Sequence, residues 1–239
     1  MSIIKGSLLA TRLLGPRQPR KLVAFGAGAQ IMAHIDLHLR AYASITNCII
    51  VNRSKNERLD DLLAALRSRH GAQAEFLGLS SDQHNQQVIG HHLMEADIIC
   101  TATSSRTPLF DLSLIRKGAH INLVGSYTPT MLEVDTNTIQ SAGMIAVDSR
   151  VACLAEAGEL IRAGVGETGA VELGELLHID EHGMVVVDEQ KCMDVRAAGD
   201  ITIFKSVGVG LQDVAIANLV VNRAQQMDVG INIGSYDVS

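Results

Sequence analysis

Short apolar runs alternate with longer stretches in which apolar positions recur every three to four residues. Lys21–Phe25 (KLVAF), Cys48–Val51 (CIIV), Asp97–Thr101 (DIICT), Ala119–Val124 (AHINLV) and Met144–Val147 read as strands, and Ala74–Leu77 as a weaker one. Nearly unbroken apolar runs are what a parallel sheet covered on both faces requires. Between them, 30–42, 56–69 and 82–95 carry the helical period. This alternation with short links predicts an α/β fold, a doubly wound parallel sheet with helices on both faces. The pattern then changes. Val151–Arg162 and Glu172–Leu177 read as helices, 181–189 as a turn followed by an edge strand, Ile201–Phe204 as a strand and Leu211–Met227 as a long amphipathic helix. Residues 230–239 carry little pattern. The expected division is a lead-in helix and loop at 1–20, the sheet domain at 21–210, and a helix and tail at 211–239 that pack on the lead-in.

Composition narrows the partners. The chain has 239 residues, of which 47% are apolar and 19% charged, which excludes intrinsic disorder. No apolar run approaches the roughly 18 residues of a membrane span, so no membrane partner is expected. A net charge of −6 argues against nucleic acid, and aromatic residues at 3% without tryptophan argue against stacking on single strands. The four cysteines are scattered, with no CxxC and no ligand cluster, which points to packed thiols in the cytoplasm. The first acidic residue is Asp36, whereas Lys5, Arg12, Arg17, Arg20 and Lys21 precede it, so a mitochondrial presequence is the lesser alternative. His91–His92 and His178 with His182 lack carboxylate or thiolate partners at ligand spacing, and no metal is expected. Neither a Gly-x-Ser-x-Gly elbow nor an HExxH motif occurs.

The sharpest chemical signal lies where the first strand meets the first long helix. Gly26 permits a tight turn, Gly28 permits close approach of the backbone to a pyrophosphate, and Ala27, Ala29 and Gln30 complete the segment that opens the helix. The third glycine of the full dinucleotide fingerprint would fall at Ile31. At the end of the second strand stand Asn52, Arg53 and Ser54, with no carboxylate to accept from a ribose 2′-hydroxyl. A guanidinium flanked by an amide and a hydroxyl suits a 2′-phosphate, which favours NADP(H) over NAD(H). Thr101 and Thr103, in the Thr101–Ser105 run, and Val124 fall at carboxyl strand ends, where ligands of open α/β sheets bind. Lys205 closes an apolar strand and could meet a substrate carboxylate or donate a proton. Asp213 lies at the start of the last helix, where it either favours the helix dipole or faces the nicotinamide pocket.

These stretches together resemble the ornithine cyclodeaminase/μ-crystallin family. FGAGAQ at 25–30, VNRS at 51–54, ADIICTATSS at 96–105, GAHINLVGSYTP at 118–129, VDSR at 147–150, EAGEL at 156–160, VELGELL at 171–177 and DITIFKSVGVGLQD at 200–213 run in the family's order. The resemblance implies a Rossmann NAD(P)-binding domain and an oxidoreductase acting on an imine or amino-acid-like C–N centre. It implies that Ser206 lies near the nicotinamide and that Glu172 borders the substrate pocket. Two departures modify it. Family members carry a further N-terminal segment that builds most of a second domain, so only a remnant of that domain is expected here, and the family's arginine falls near Ser2. The catalytic aspartate of cyclodeaminases matches Tyr127, a phenol with an ordinary pKa of about 10, so ornithine cyclodeamination is disfavoured. The alternative is a catalytically weak NADP(H)-binding protein, or one that needs a partner chain. Exposed apolar surface where the second domain would pack predicts self-association, as a homo-oligomer, or instability. The expected substrate is a small molecule.

Overall fold

A computed structural model describes residues 2–231, with the side chains of residues 2, 3, 211 and 212 outside that description. The Ser2 side chain and residues 232–239 of the patternless tail therefore lie outside what is described. Helix α1 (Ser2–Leu14) leads into β1 (Lys21–Phe25), α2 (Ala29–Ala41), β2 (Asn47–Asn52), α3 (Glu57–His70) and β3 (Glu75–Ser80). Then follow α4 (Gln86–Met94), β4 (Ile98–Thr101), β5 (His120–Leu123), α5 (Thr136–Ser141) and β6 (Ile145–Val147). The last part holds α6 (Arg150–Glu156), α7 (Gly158–Ala163), β7 (Ala170–Glu172), β8 (Leu177–Ile179), β9 (Val185–Val187), α8 (Glu189–Ala197), β10 (Thr202–Lys205) and α9 (Gly210–Gln226).

Eight strands form one parallel sheet in the order β3-β2-β1-β4-β5-β10-β6-β7. Successive residues of a strand point to opposite faces, and β1 shows both sides of the rule. Leu22 and Ala24 join Ile31, Ile35 and Leu39 of α2 and Leu59, Leu63 and Leu66 of α3 in one core. Val23 and Phe25 join Ile89 and Leu93 of α4 on the opposite face. Burial on both faces explains why these strands read as continuous apolar runs. Helix α1 lies on the first of these faces and contributes Ala10, Leu13 and Leu14 to a third cluster with Ala146, Val195 and Phe204.

The expected doubly wound sheet is therefore present, and the corrections fall in the second half. The segment 172–177 is not a helix. Its first residue ends β7, which pairs with β6, and the remainder forms a single 3-10 turn (Leu173–Leu176) and the start of β8. The expected edge strand at 181–189 does form, but as β9 of a separate antiparallel pair with β8. The helix expected over 151–162 breaks at Ala157. A Cβ on the next residue, Gly158, would come within 2.0 Å of the Met131 carbonyl oxygen, so the backbones already touch there. The short α5 was not foreseen: its six residues TNTIQS are too few and too polar to show a period, and the Asp135 side chain caps it. Along α9, Val214, Leu219, Val220 and Val221 are exposed.

Candidate functional site

Strand β1 ends level with β2 and β4, with Phe25 opposite both Val51 and Thr101. The chain leaves β1 through Gly26, whose φ of 114° is a conformation reserved for glycine. A Cβ there would sit 2.9 Å from the Ala102 carbonyl oxygen and 3.3 Å from Ile31 Cγ1. Ile31 is fully buried under the turn, which explains why the fingerprint's third glycine is absent: that side chain packs into the core rather than toward a ligand. Gly28 is the N-cap of α2 and brings no side chain to the helix end. An uncapped helix N-terminus is suited to an anion.

The turn opens into a cleft of about 1120 Å³ at the carboxyl edge of the sheet. One wall is the glycine turn, the second is the β2 exit at Asn52, Arg53 and Ser54, and the third is the segment from Ala102 to Asp111. Arg53, Arg58 and Arg106 all line it. Arg58 Nε donates to the Ala27 carbonyl oxygen at 3.0 Å, and its Nη2 lies 2.9 Å from where a Gly28 Cβ would be. A guanidinium thus stands against the glycine turn itself. Asn52 is held by its own loop, its amide donating to the Ser54 carbonyl oxygen at 2.9 Å. Among the described residues, no acidic side chain lines the cleft at the end of β2; the cleft's carboxylates, Asp111 and Asp135, belong to other segments.

Across the sheet, the ends of β5, β10 and β6 are closed. Lys205 and Glu159 are both 0% exposed and form an ion pair at 3.0 Å. Among the described residues neither charged group finds a hydrogen-bond partner of good angle, so the pair rests on charge in a medium of low dielectric. Glu133 is also buried, and its two oxygens accept from Thr101 Oγ1 at 2.7 Å, Thr103 N and Oγ1 at 2.8 Å each, and Gly125 N at 2.7 Å. Burial raises its pKa, opposed by the Lys205 charge and these hydrogen bonds. Asp148, at the exit of β6, accepts from Ser206 Oγ at 2.5 Å and Gly208 N at 2.9 Å.

The structure brings Gly26, Ala27, Gly28, Asn52, Arg53, Ser54 and Thr103 together around the cleft, with Ala29 and Gln30 in the first turn of the adjoining helix. Thr101, Val124 and Ser206 are buried and do not line it; Thr101 and Ser206 spend their hydroxyls on Glu133 and Asp148. Lys205 is sealed away from solvent. Tyr127 is 53% exposed and, like the exposed Asp213, lies outside the cleft lining. Glu172 accepts from the Arg150 backbone N–H at 2.8 Å at the start of α6. Sequence reasoning missed Arg58, Arg106, Glu133 and Asp148. Arg58 carried a usable signal, since it follows the Asn56 cap by two residues and so lies in the first turn of the helix after β2. Glu133 carried none, because its partners are 8 to 32 residues away.

A family model described as ornithine cyclodeaminase/mu-crystallin matches residues 6–228. The chain belongs to this family. Among members, a Delta(1)-pyrroline-2-carboxylate reductase of Bacillus cereus is 30% identical over 94% of this chain and 64% of its own length. A solved structure of a probable ornithine cyclodeaminase from Bordetella pertussis is 27% identical, with a TM-score of 0.75 over 97% of this chain and 68% of that one. Delta(1)-pyrroline-2-carboxylate reductase of Thermococcus litoralis, solved with NADH and L-proline, shares the fold at a TM-score of 0.77 and 24% identity, covering 97% of this chain and 66% of that one. The chain thus spans just under two thirds of the length of the Bacillus cereus reductase and of an uncharacterized cyclodeaminase of Dictyostelium discoideum.

Proposed function

We propose that this chain is an oxidoreductase that binds a nicotinamide dinucleotide in the cleft and acts on the C=N or C–N centre of a small imine or amino acid. We further propose that it prefers NADP(H). One observation carries the proposal: an uncapped glycine turn and two guanidiniums, Arg53 and Arg58, face one cleft that, among the described residues, has no carboxylate at the end of β2. The residues fit such a ligand, since a side chain at Gly28 would meet Arg58 and one at Gly26 would meet Ala102. Gly26, Ala27, Gly28, Ala29 and Gln30 would hold the pyrophosphate, and Asn52, Arg53 and Ser54 the adenosine 2′-phosphate. Thr103 would border the remainder. The bound nicotinamide would supply or accept the hydride, while the chain orients it. Family membership supports this choice of chemistry, and Tyr127, in place of a carboxylate, favours imine reduction over cyclodeamination.

The test is calorimetric titration with NADPH and with NADH, followed by loss of NADPH absorbance over a panel of cyclic imines. Tighter uptake of NADPH and turnover of at least one imine are expected. Absence of uptake by folded protein refutes the proposal. Tyr127, at the position that matches a catalytic carboxylate, favours a second reading, a dinucleotide-binding protein that does not turn over alone. Uptake without turnover selects it. The exposed apolar residues of α9 support self-association in either case, which light scattering reads directly.

A further inference from the structure

The wall of the cleft between Thr103 and Leu109 belongs to a loop with no regular secondary structure, yet it carries Arg106 toward the ligand space. A loop needs something to hold its register; here a buried carboxylate does so beside a single backbone bridge between Arg106 and Leu132. Glu133 binds the last residue of β4 through Thr101, the start of the wall through Thr103, and the exit of β5 through Gly125. Four donors on two oxygens fill its accepting capacity. Its backbone continues the work. The Glu133 carbonyl oxygen accepts from Leu109 N at 2.8 Å, and the preceding Leu132 N donates to the Ser105 carbonyl oxygen at 2.9 Å. Space is equally committed, because a Cβ on Gly125 would lie 2.4 Å from Glu133 Oε1 and 2.1 Å from the Thr103 carbonyl oxygen.

We propose that Glu133 is the positioning residue of the cleft, fixing the Thr103–Leu109 wall and hence Arg106 against the bound ligand. That the ligand is a nicotinamide dinucleotide rests on the function proposed above. Lys205 then serves as a buried counter-charge for Glu133 and Glu159, not as a group that touches substrate. An amide at 133 keeps the shape but turns one acceptor into a donor facing donors. Among these donors Thr101 is the useful control: it is buried and does not line the cleft, so removing its hydroxyl reaches the ligand only through Glu133.

The experiment compares wild type, Glu133→Gln, Thr101→Val, Arg106→Ala and the Glu133→Gln/Arg106→Ala pair by NADPH calorimetry and by hydrogen exchange of backbone amides. Glu133→Gln is expected to weaken NADPH about tenfold, as loss of charge-assisted hydrogen bonds should, and Thr101→Val about threefold. The pair should weaken it little more than the larger single change, because both act through one wall. Amides at 103–109 and 125 should exchange faster in Glu133→Gln, with those of β1 and β2 unchanged. Additive losses, unaltered affinity in a folded variant, or exchange rising evenly across the sheet would overturn the proposal. If Glu133→Gln does not fold, Thr101→Val decides by the same readings. If wild type takes up no NADPH, the dinucleotide assignment fails, and the exchange pattern alone decides whether Glu133 sets the wall.

Discussion

The two halves of the sheet's carboxyl edge handle charge in opposite ways. Over β1, β2 and β4, guanidiniums stand at an open cleft and the fold contributes mainly backbone, a glycine turn and an uncapped helix. Over β5, β10 and β6, an ammonium and two carboxylates are sealed inside. Exposed cations keep their hydration until a ligand replaces it, so they suit binding. Buried ions are costly unless paired, so they suit fixing one arrangement and penalising others. A lysine at a strand end thus has different work depending on which half it occupies.

Acid should erase the contrast most strongly, because it strikes beneath both halves. His34 and His38 of α2 and His120 of β5 are buried, and burial lowers their pKa values to about 4, about 3 and about 4. His34 Nδ1 donates to the Gln30 carbonyl oxygen at 2.7 Å and its Nε2 lies 2.9 Å from Ser7 Oγ; His120 Nδ1 lies 2.8 Å from Thr202 Oγ1. The unfolded chain takes up protons below about 6.5 while the folded one resists until near 4, so stability is full above that range and falls as pH drops through it. By pH 5 the loss is about 2 kcal/mol for each histidine. Urea unfolding at stepped pH measures it, and a flat profile between pH 7.5 and 5 contradicts it.

Next in size is Lys205→Met, which strands Glu159 and Glu133 and should cost about 3–5 kcal/mol of unfolding free energy. Adding Glu159→Leu should recover part of that loss. A double variant less stable than the single one would show that the pair is not the unit described. Gly26→Ala tests the open half: a positive φ and contact with Ala102 should cost about 2 kcal/mol and reduce nucleotide uptake. An alanine variant with unaltered melting temperature would refute the strain. The smallest change sharpens selectivity. Arg53→Ala should weaken NADPH about tenfold and NADH hardly at all, whereas Arg58→Ala should weaken both alike. Equal losses for both nucleotides in Arg53→Ala would remove the basis for preferring NADP(H).

Legibility in the sequence followed the same divide. The open half is built from consecutive strand–helix units, so β1, α2, β2 and the glycine turn were readable from local period alone. The other half is not local. Strand β10 enters between β5 and β6, a placement that no nearby residue encodes and that turns Lys205 from an expected strand-end cation into a buried one. The stretch Val171–Leu177 is rich in Glu and Leu, good helix formers, yet pairing of β7 with β6 overrides that preference. Arg53 was legible because its neighbours in sequence are its neighbours in space. Glu133 was not, because it acts across loops brought together only by folding.

The insertion of β10 has a consequence for biosynthesis. While the nascent chain is shorter than Lys205, β5 has no strand partner on its far side, and β6 and β7 pair only with each other. An apolar strand with an unpaired edge is the kind of surface that recruits other chains. A ribosome that stalls before Thr202 therefore displays an adhesive product, and chaperone demand should end abruptly once the last central strand clears the exit tunnel.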